Sequence, residues 1–306
     1  MMELNKAFIE TEINEWNDLF LFNQRFMSQF VFRGQANSEW GLKTSLERLI
    51  ENHYPFPNRD RSLPTLYEND MIRVFKWKYS IYEKVYIPKD DEYIEWLSIM
   101  QHFGAPTRLF DFSDSMYVAL YMSMAGSFYD ESSIWCINKV VLDYPVFDRY
   151  RIESHVDSAS QYELDEFSYQ LANRSTKQGL HVNPKASDGL LYMVRPHMTN
   201  QRISCQQGLF IVPSLINIPL EDLLKNYYIR ENRMKINIDT LQRISNENMK
   251  KNAISILKIN IPKDNNLRLT KALKQMNITA ETMFSGLEGL AKSLANLRMA
   301  LGVYKD

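Results

Sequence analysis

At 306 residues, with 45% hydrophobic and 12% aromatic side chains, the chain can bury a sizeable core and is neither a disordered nor a fibrous polypeptide. Its 36 Lys+Arg against 37 Asp+Glu leave a net charge of −1, which removes any broad electrostatic reason to expect nucleic acid or an anionic membrane as partner. The two cysteines, Cys136 and Cys205, form no CxxC pair, which argues against a zinc site or a disulfide framework.

The segment Met1–Lys6 lacks the charged and apolar regions of a signal peptide, and no apolar run approaches the length of a membrane span, so a cytoplasmic protein is expected. Residues 7–13 alternate as a short strand, and Asn14 is placed to cap a helix running through Phe26. Phe30–Gly34 predicts a strand ending at a glycine. Residues 66–86 have helical period, with Met71, Phe75, Tyr79, Tyr82 and Tyr86 on one stripe and basic residues such as Arg73, Lys76 and Lys84 elsewhere.

A helix over 92–103 should stop at Gly104 and Pro106. Arg108–Phe112 predicts a short buried strand, with Ser113 or Asp114 capping the next helix, and Ser133–Val140 another strand. Residues 150–190 are polar and weakly patterned, which predicts a mobile loop or lid. Strands follow at 190–195, 208–212 and 254–261, then helices at 265–276 and 279–302. Strands and helices mix without a βαβ rhythm, so the expected fold is α+β: a mixed central sheet with surrounding helices.

Four segments carry residues able to do chemistry. In Phe32-Arg33-Gly34-Gln35 an arginine ends an apolar strand beside a glycine, a placement that suits a phosphate or carboxylate. On this segment alone a buried structural ion pair with Asp111 is the favoured reading of the same arginine. The block Gln101–Ser113 crowds His102, Thr107, Arg108, Asp111 and Ser113 around a Gly-x-Pro turn, where polar groups must satisfy one another or meet a ligand. Arg202–Phe210 holds Gln206 and Gln207, whose amides can read a ribose or pin a loop. Thr282–Ala291 places Glu288 between two glycines near a helix start. Asp111 and Glu288, lying in apolar runs, are expected to pair with arginines.

In this order the four segments resemble the FRG-domain family. That family has a Phe-Arg-Gly near the start and a Gln-His-x-Gly-x-Pro-Thr-Arg-Leu-x-Asp block. An Ala-Leu helix, a Gln-x-Gly-x-Phe strand and a late Phe-x-x-Leu-x-Gly-Leu turn follow. The chain matches at Phe32–Gly34, Gln101–Asp111, Ala119–Leu120, Gln206–Phe210 and Phe284–Leu290. It departs at Phe110 and Phe112, where Leu and Trp are commoner, and at Ser285-Gly286, where Pro-Asp is commoner. The resemblance implies an FRG domain over 30–295, an N-terminal strand and helix over 1–29 packed on it, and a helix end over 296–306.

The family is bacterial and phage-associated. A further resemblance, to ADP-ribosyltransferases, lies in Arg33, the Asp111–Ser115 strand-to-helix step and Gln207, and implies an ADP-ribosyltransferase-like core with NAD as ligand. On that resemblance Arg33 holds the pyrophosphate, His102 and Gln207 the ribose, and Ser113 or Ser115 the nicotinamide side, with Arg33, His102 and Gln207 as catalytic candidates. Gly34, Gln35, Thr107, Arg108 and Gln206 complete the ligand contacts, and no metal ligand set is present. Arg33, His102, Ser113 and Gln207 are expected to line one concave site under the 150–190 segment.

Three functions follow: an NAD-recognising or NAD-cleaving toxin or phage-defence effector, a ligand-binding sensor without catalysis, and a nucleic-acid-acting toxin using the basic helix. The transferases carry a glutamate where this chain has Gln206-Gln207, which favours the sensor.

Overall fold

A computed structural model describes residues 7–13, 15–26, 28–53, 63–83, 86–125, 130–178, 189–198, 200–227, 233–239, 254–284 and 286–295. In chain order its elements are β1 (Ala7–Glu12), α1 (Trp16–Phe26), β2 (Phe30–Gln35), α2 (Ser45–His53), α3 (Leu63–Tyr82), α4 (Tyr93–His102) and β3 (Phe110–Ser113). Then come α5 (Met116–Met124), β4 (Ser132–Asn138), α6 (Lys139–Ser154), α7 (Gln161–Gln178), β5 (Leu191–Val194), α8 (Gln201–Cys205), β6 (Gly208–Pro213) and α9 (Leu220–Leu224). The last are β7 (Arg233–Lys235), β8 (Ile254–Ile261), α10 (Asn266–Gln275), α11 (Ala280–Met283) and α12 (Gly286–Ala295). The fold is α+β.

The strands form one mixed sheet in the order β5-β6-β3-β2-β4-β8-β1-β7. β1 runs parallel to both β8 and β7, and the other neighbours are antiparallel. Alternation along each strand builds a core on either face. Val31, Phe110, Phe112, Trp135, Leu209 and Ile211 pack on one face with Leu42, Leu220 and Leu223. Phe30, Phe32, Ile134, Cys136 and Leu257 pack on the other, under α1, α5 and α10. Farther along that second face, Phe210, Val212, Tyr192 and Val194 are covered by α4 and α7.

The structure corrects several expectations. Residues 161–178 are no lid but helix α7, whose Phe167, Leu171 and Ala172 are buried against α4 and β5. Each large apolar side chain so buried contributes roughly 1.5–3 kcal/mol, enough to fix a helix with a polar outer face. Residues 179–188 lie outside the described residues, as does the expected cap Asn14. The cap of α5 is Ser115, whose hydroxyl accepts from the Val118 N–H at 3.3 Å, rather than Ser113 or Asp114.

The helix expected over 279–302 breaks at Phe284 and Gly286, the latter at φ +62°; residues beyond 295 are outside the described ones. Gly289 permits the close return of α12, since a Cβ there would stand 2.2 Å from the Phe284 carbonyl oxygen. On α3, Met71, Phe75 and Tyr79 meet the core, but Tyr82 is 83% exposed and Tyr86 falls past the helix end. Among the described residues no helix is long and apolar enough to cross a membrane.

Candidate ligand-binding site

The motif residues of β2 point three ways. Phe32 enters the core beneath α5. Gly34 lies so close to α5 that an added Cβ would stand 1.9 Å from the Ala119 carbonyl oxygen and 2.5 Å from the Ser123 nitrogen. Its side-chain-free surface therefore serves helix packing. Gln35 is buried; its amide donates to the Gly41 carbonyl at 3.0 Å and its carbonyl accepts from Trp135 Nε1 at 2.9 Å. Both residues, expected at the ligand, face the interior.

Arg33 is different. Its guanidinium carbon lies 4.0 Å over the Phe110 ring, and Nη1 donates to the Asp111 carbonyl at 2.7 Å. The nearest carboxylate oxygen, Asp111 Oδ2, is 3.9 Å away on a side chain 63% exposed. Nε is buried and has no partner among the described residues. Burial lowers the Arg33 pKa; Asp111 opposes that shift and neighbouring Arg48 adds to it. Arginine nonetheless stays charged, so a desolvated cation lacks a close anion here.

The expected contact between Arg33 and the Gln101–Ser113 block is present, although the Arg33–Asp111 pair is not a buried one. Asp111 Oδ1 accepts from Gln101 Nε2 at 2.6 Å, and Gln101 accepts in turn from the Thr107 hydroxyl. Thr107 is fully buried, its N–H bonded to Ser45 Oγ at 2.9 Å. Arg108 is equally hidden: its Nε reaches both Glu68 oxygens at 2.9 Å, and Nη1 lies 3.4 Å from the Pro213 carbonyl. These two residues, expected at the ligand, hold the turn to α2 and α3 instead.

At the other end of β3, Ser113 Oγ donates to the Gln206 carbonyl at 2.7 Å and accepts from the Ser115 N–H at 2.9 Å. Gln206 Nε2 donates to the Met283 carbonyl at 2.9 Å, tying α8 to α11. Gln207 is exposed at φ +46°, and its carbonyl accepts from the Asp114 N–H at 3.0 Å. Asp114 itself lies 2.7 Å from both Lys139 Nζ and Arg195 Nη2.

His102, at the end of α4, has Nδ1 buried without a partner among the described residues. Burial lowers its pKa, Arg202 lowers it further and Glu288 opposes both. Arg202 lies 5.1 Å over the Phe284 ring, and Lys292 Nζ lies 3.4 Å over the same ring. Glu288 pairs with Lys292 at 2.7 Å, a lysine where an arginine was expected.

The polar segments thus meet pairwise, and no contact joins Arg33 to His102, Ser113 or Gln207 among the described residues. The reason is geometric: Arg33 shares the face of Val31 and Phe110, whereas α4 and His102 cover the opposite face. A cavity of about 1160 Å³ lies elsewhere, between α3 and Met100, Phe103 and Ala105. Sequence reasoning missed Arg48 beside Arg33; Arg202 stood inside a quoted segment without a role. No described group of three or more His, Cys, Asp or Glu is placed to hold a metal.

Residues 28–131 match the family model described as the FRG domain. No curated protein and no solved structure matches the chain significantly. The match takes in Phe32–Gly34 and Gln101–Asp111, which supply Arg33, Phe110 and Asp111, and ends before Gln206–Phe210. Over residues 28–131, about a third of its length, the chain is similar to the FRG domain.

Proposed function

We propose that the chain binds a nucleotide-type ligand through Arg33, with NAD the first candidate. The observation that carries this reading is a guanidinium that is desolvated, stacked on Phe110 and without a close anion, since Asp111 Oδ2 stands 3.9 Å away. A phosphate oxygen would supply the charge-assisted hydrogen bonds that the exposed carboxylate does not. Arg48 adds a second positive charge nearby. The ADP-ribosyltransferase resemblance adds NAD to this chemistry, and with it the role of an NAD-sensing or NAD-consuming toxin or phage-defence effector.

Recognition without cleavage is the reading we adopt. The Gln206 amide is engaged with the Met283 carbonyl, and among the described residues no contact joins Gln207 to Arg33. Cleavage of the nicotinamide glycosidic bond is the second reading, favoured by one observation: Asp111 is an exposed carboxylate beside Arg33. A nucleic-acid role for α3 has less support, because Arg73 pairs with Asp70 at 2.9 Å and Lys76 lies 4.6 Å over the Tyr93 ring.

Calorimetric titration with NAD, ADP-ribose and ATP tests the binding. Saturable binding in the wild type and its loss in Arg33→Gln are expected. Absence of binding to all three, or equal binding by the variant, would overturn the proposal. Nicotinamide release that disappears in Asp111→Asn would replace recognition by cleavage.

A further inference from the structure

We propose that Arg202 and His102 form a phosphate-binding site, separate from Arg33, that takes the phosphate monoester of a small molecule. Three parts of the chain build it: the end of α4, helix α8, and Phe284 with helix α12. Arg202 rests on the Phe284 ring at 5.1 Å and donates to no acceptor among the described residues. Its planar fork of donors, free of protein acceptors among the described residues, can recognise two oxygens of a phosphate at once.

His102 supplies the next polar group, a half-buried ring whose Nδ1 has no partner among the described residues. The charged groups that face this ring are Arg202 and Glu288. Glu288 does not neutralise Arg202, because Lys292 Nζ holds it at 2.7 Å. Lys292 lies on the same Phe284 ring, so the cluster keeps an excess of one positive charge before His102 takes a proton. Phe103, edge-on to His102 at 4.9 Å and 73% exposed, offers an apolar wall for the organic part of a monoester. The Gln206–Met283 hydrogen bond of 2.9 Å fixes α8 against the turn, so the donors are set before a ligand comes.

A phosphate dianion beside His102 must raise the affinity of the imidazole for its proton. The full chain is therefore titrated by proton NMR, with the His102 ring proton among the five histidines assigned from His102→Gln. The additions are inorganic phosphate, glycerol phosphate, or chloride at matched ionic strength. We expect the His102 midpoint to rise by about one pH unit, about tenfold in proton affinity, with either phosphate and not with chloride.

Arg202→Gln should abolish the rise, and Glu288→Gln, which releases Lys292, should tighten phosphate binding severalfold. An unchanged midpoint in the wild type, or the same rise in Arg202→Gln, overturns the site. Should Arg202→Gln fail to fold, unchanged or weaker phosphate binding by Glu288→Gln overturns it instead. Tighter binding of glycerol phosphate assigns the monoester, whereas tighter binding of inorganic phosphate overturns that assignment.

Discussion

Arg108 and Glu68 form an ion pair in which each side chain is only 1% exposed, joining the turn before β3 to helix α3 across a sequence separation of 40 residues. Removing one partner strands the other as an uncompensated buried charge. Arg108→Ala is expected to lower unfolding free energy by about 3–5 kcal/mol, and the apolar pair Glu68→Leu with Arg108→Met to recover most of it. Urea unfolding of the three proteins checks both halves of the claim; a mild single-variant effect would show that the pair is not isolated from water.

Gly34 should tolerate no side chain. A Cβ 1.9 Å from the Ala119 carbonyl oxygen forces β2 and α5 apart. Gly34→Ala is expected to cost about 1–3 kcal/mol or more, the range for overpacked cores. Thermal melting reads this directly, and a variant melting with the wild type would contradict the close approach.

Arg33 should be cheap to replace. Its Nε has no partner among the described residues and its nearest carboxylate oxygen stands 3.9 Å away, so its burial is poorly compensated and losing the charge removes a cost along with the contact. Arg33→Gln should therefore melt near the wild type while losing the ligand. A large fall in melting temperature would return Arg33 to a purely structural role.

Asp114 predicts an acid-sensitive step. Burial alone would raise its pKa, but Lys139 and Arg195 outweigh this and hold it below its ordinary value of 3.8. A carboxylate depressed in the folded state stabilises fully above the unfolded pKa and loses that contribution as pH falls through the folded one. Wild-type stability should thus decline below about pH 4, and Asp114→Asn should start less stable at neutral pH and decline less. Equal acid slopes in denaturant titrations would count against the pairing.

The matched region 28–131 should not fold alone. Within it β2 and β3 share one registered pair, Phe32 with Ser113, while β2 has its six-residue register with β4 and β3 its four-residue register with β6. Circular dichroism of that fragment should show no cooperative melt; a sharp transition would mean the missing strands are dispensable.

Most strands were legible because apolar alternation is local, as in β8 from Ile254 to Ile261. Helix α7 was not, since Phe167 and Leu171 are sparse apolar anchors among polar residues. Helix α6 likewise carries Pro145 in its interior, an ordinary breaker. The candidate site was legible in its ingredients and not in its assembly. Local pattern cannot say that Glu68 turns inward to meet Arg108, or that Arg33 and His102 stand on opposite faces of the sheet.

Strand β1 lies between β8 and β7, with Ile9 registered against Leu257. The ribosome therefore releases β1 roughly 250 residues before β8, on the order of ten seconds or more at usual synthesis rates. For most of that interval neither β7 nor β8 is there for Phe8 and Ile9 to join. The nascent chain must be kept from pairing with its neighbours on the same message until β1 and β8 can meet, so its yield in cells depends on chaperone supply and translation speed as well as on final stability.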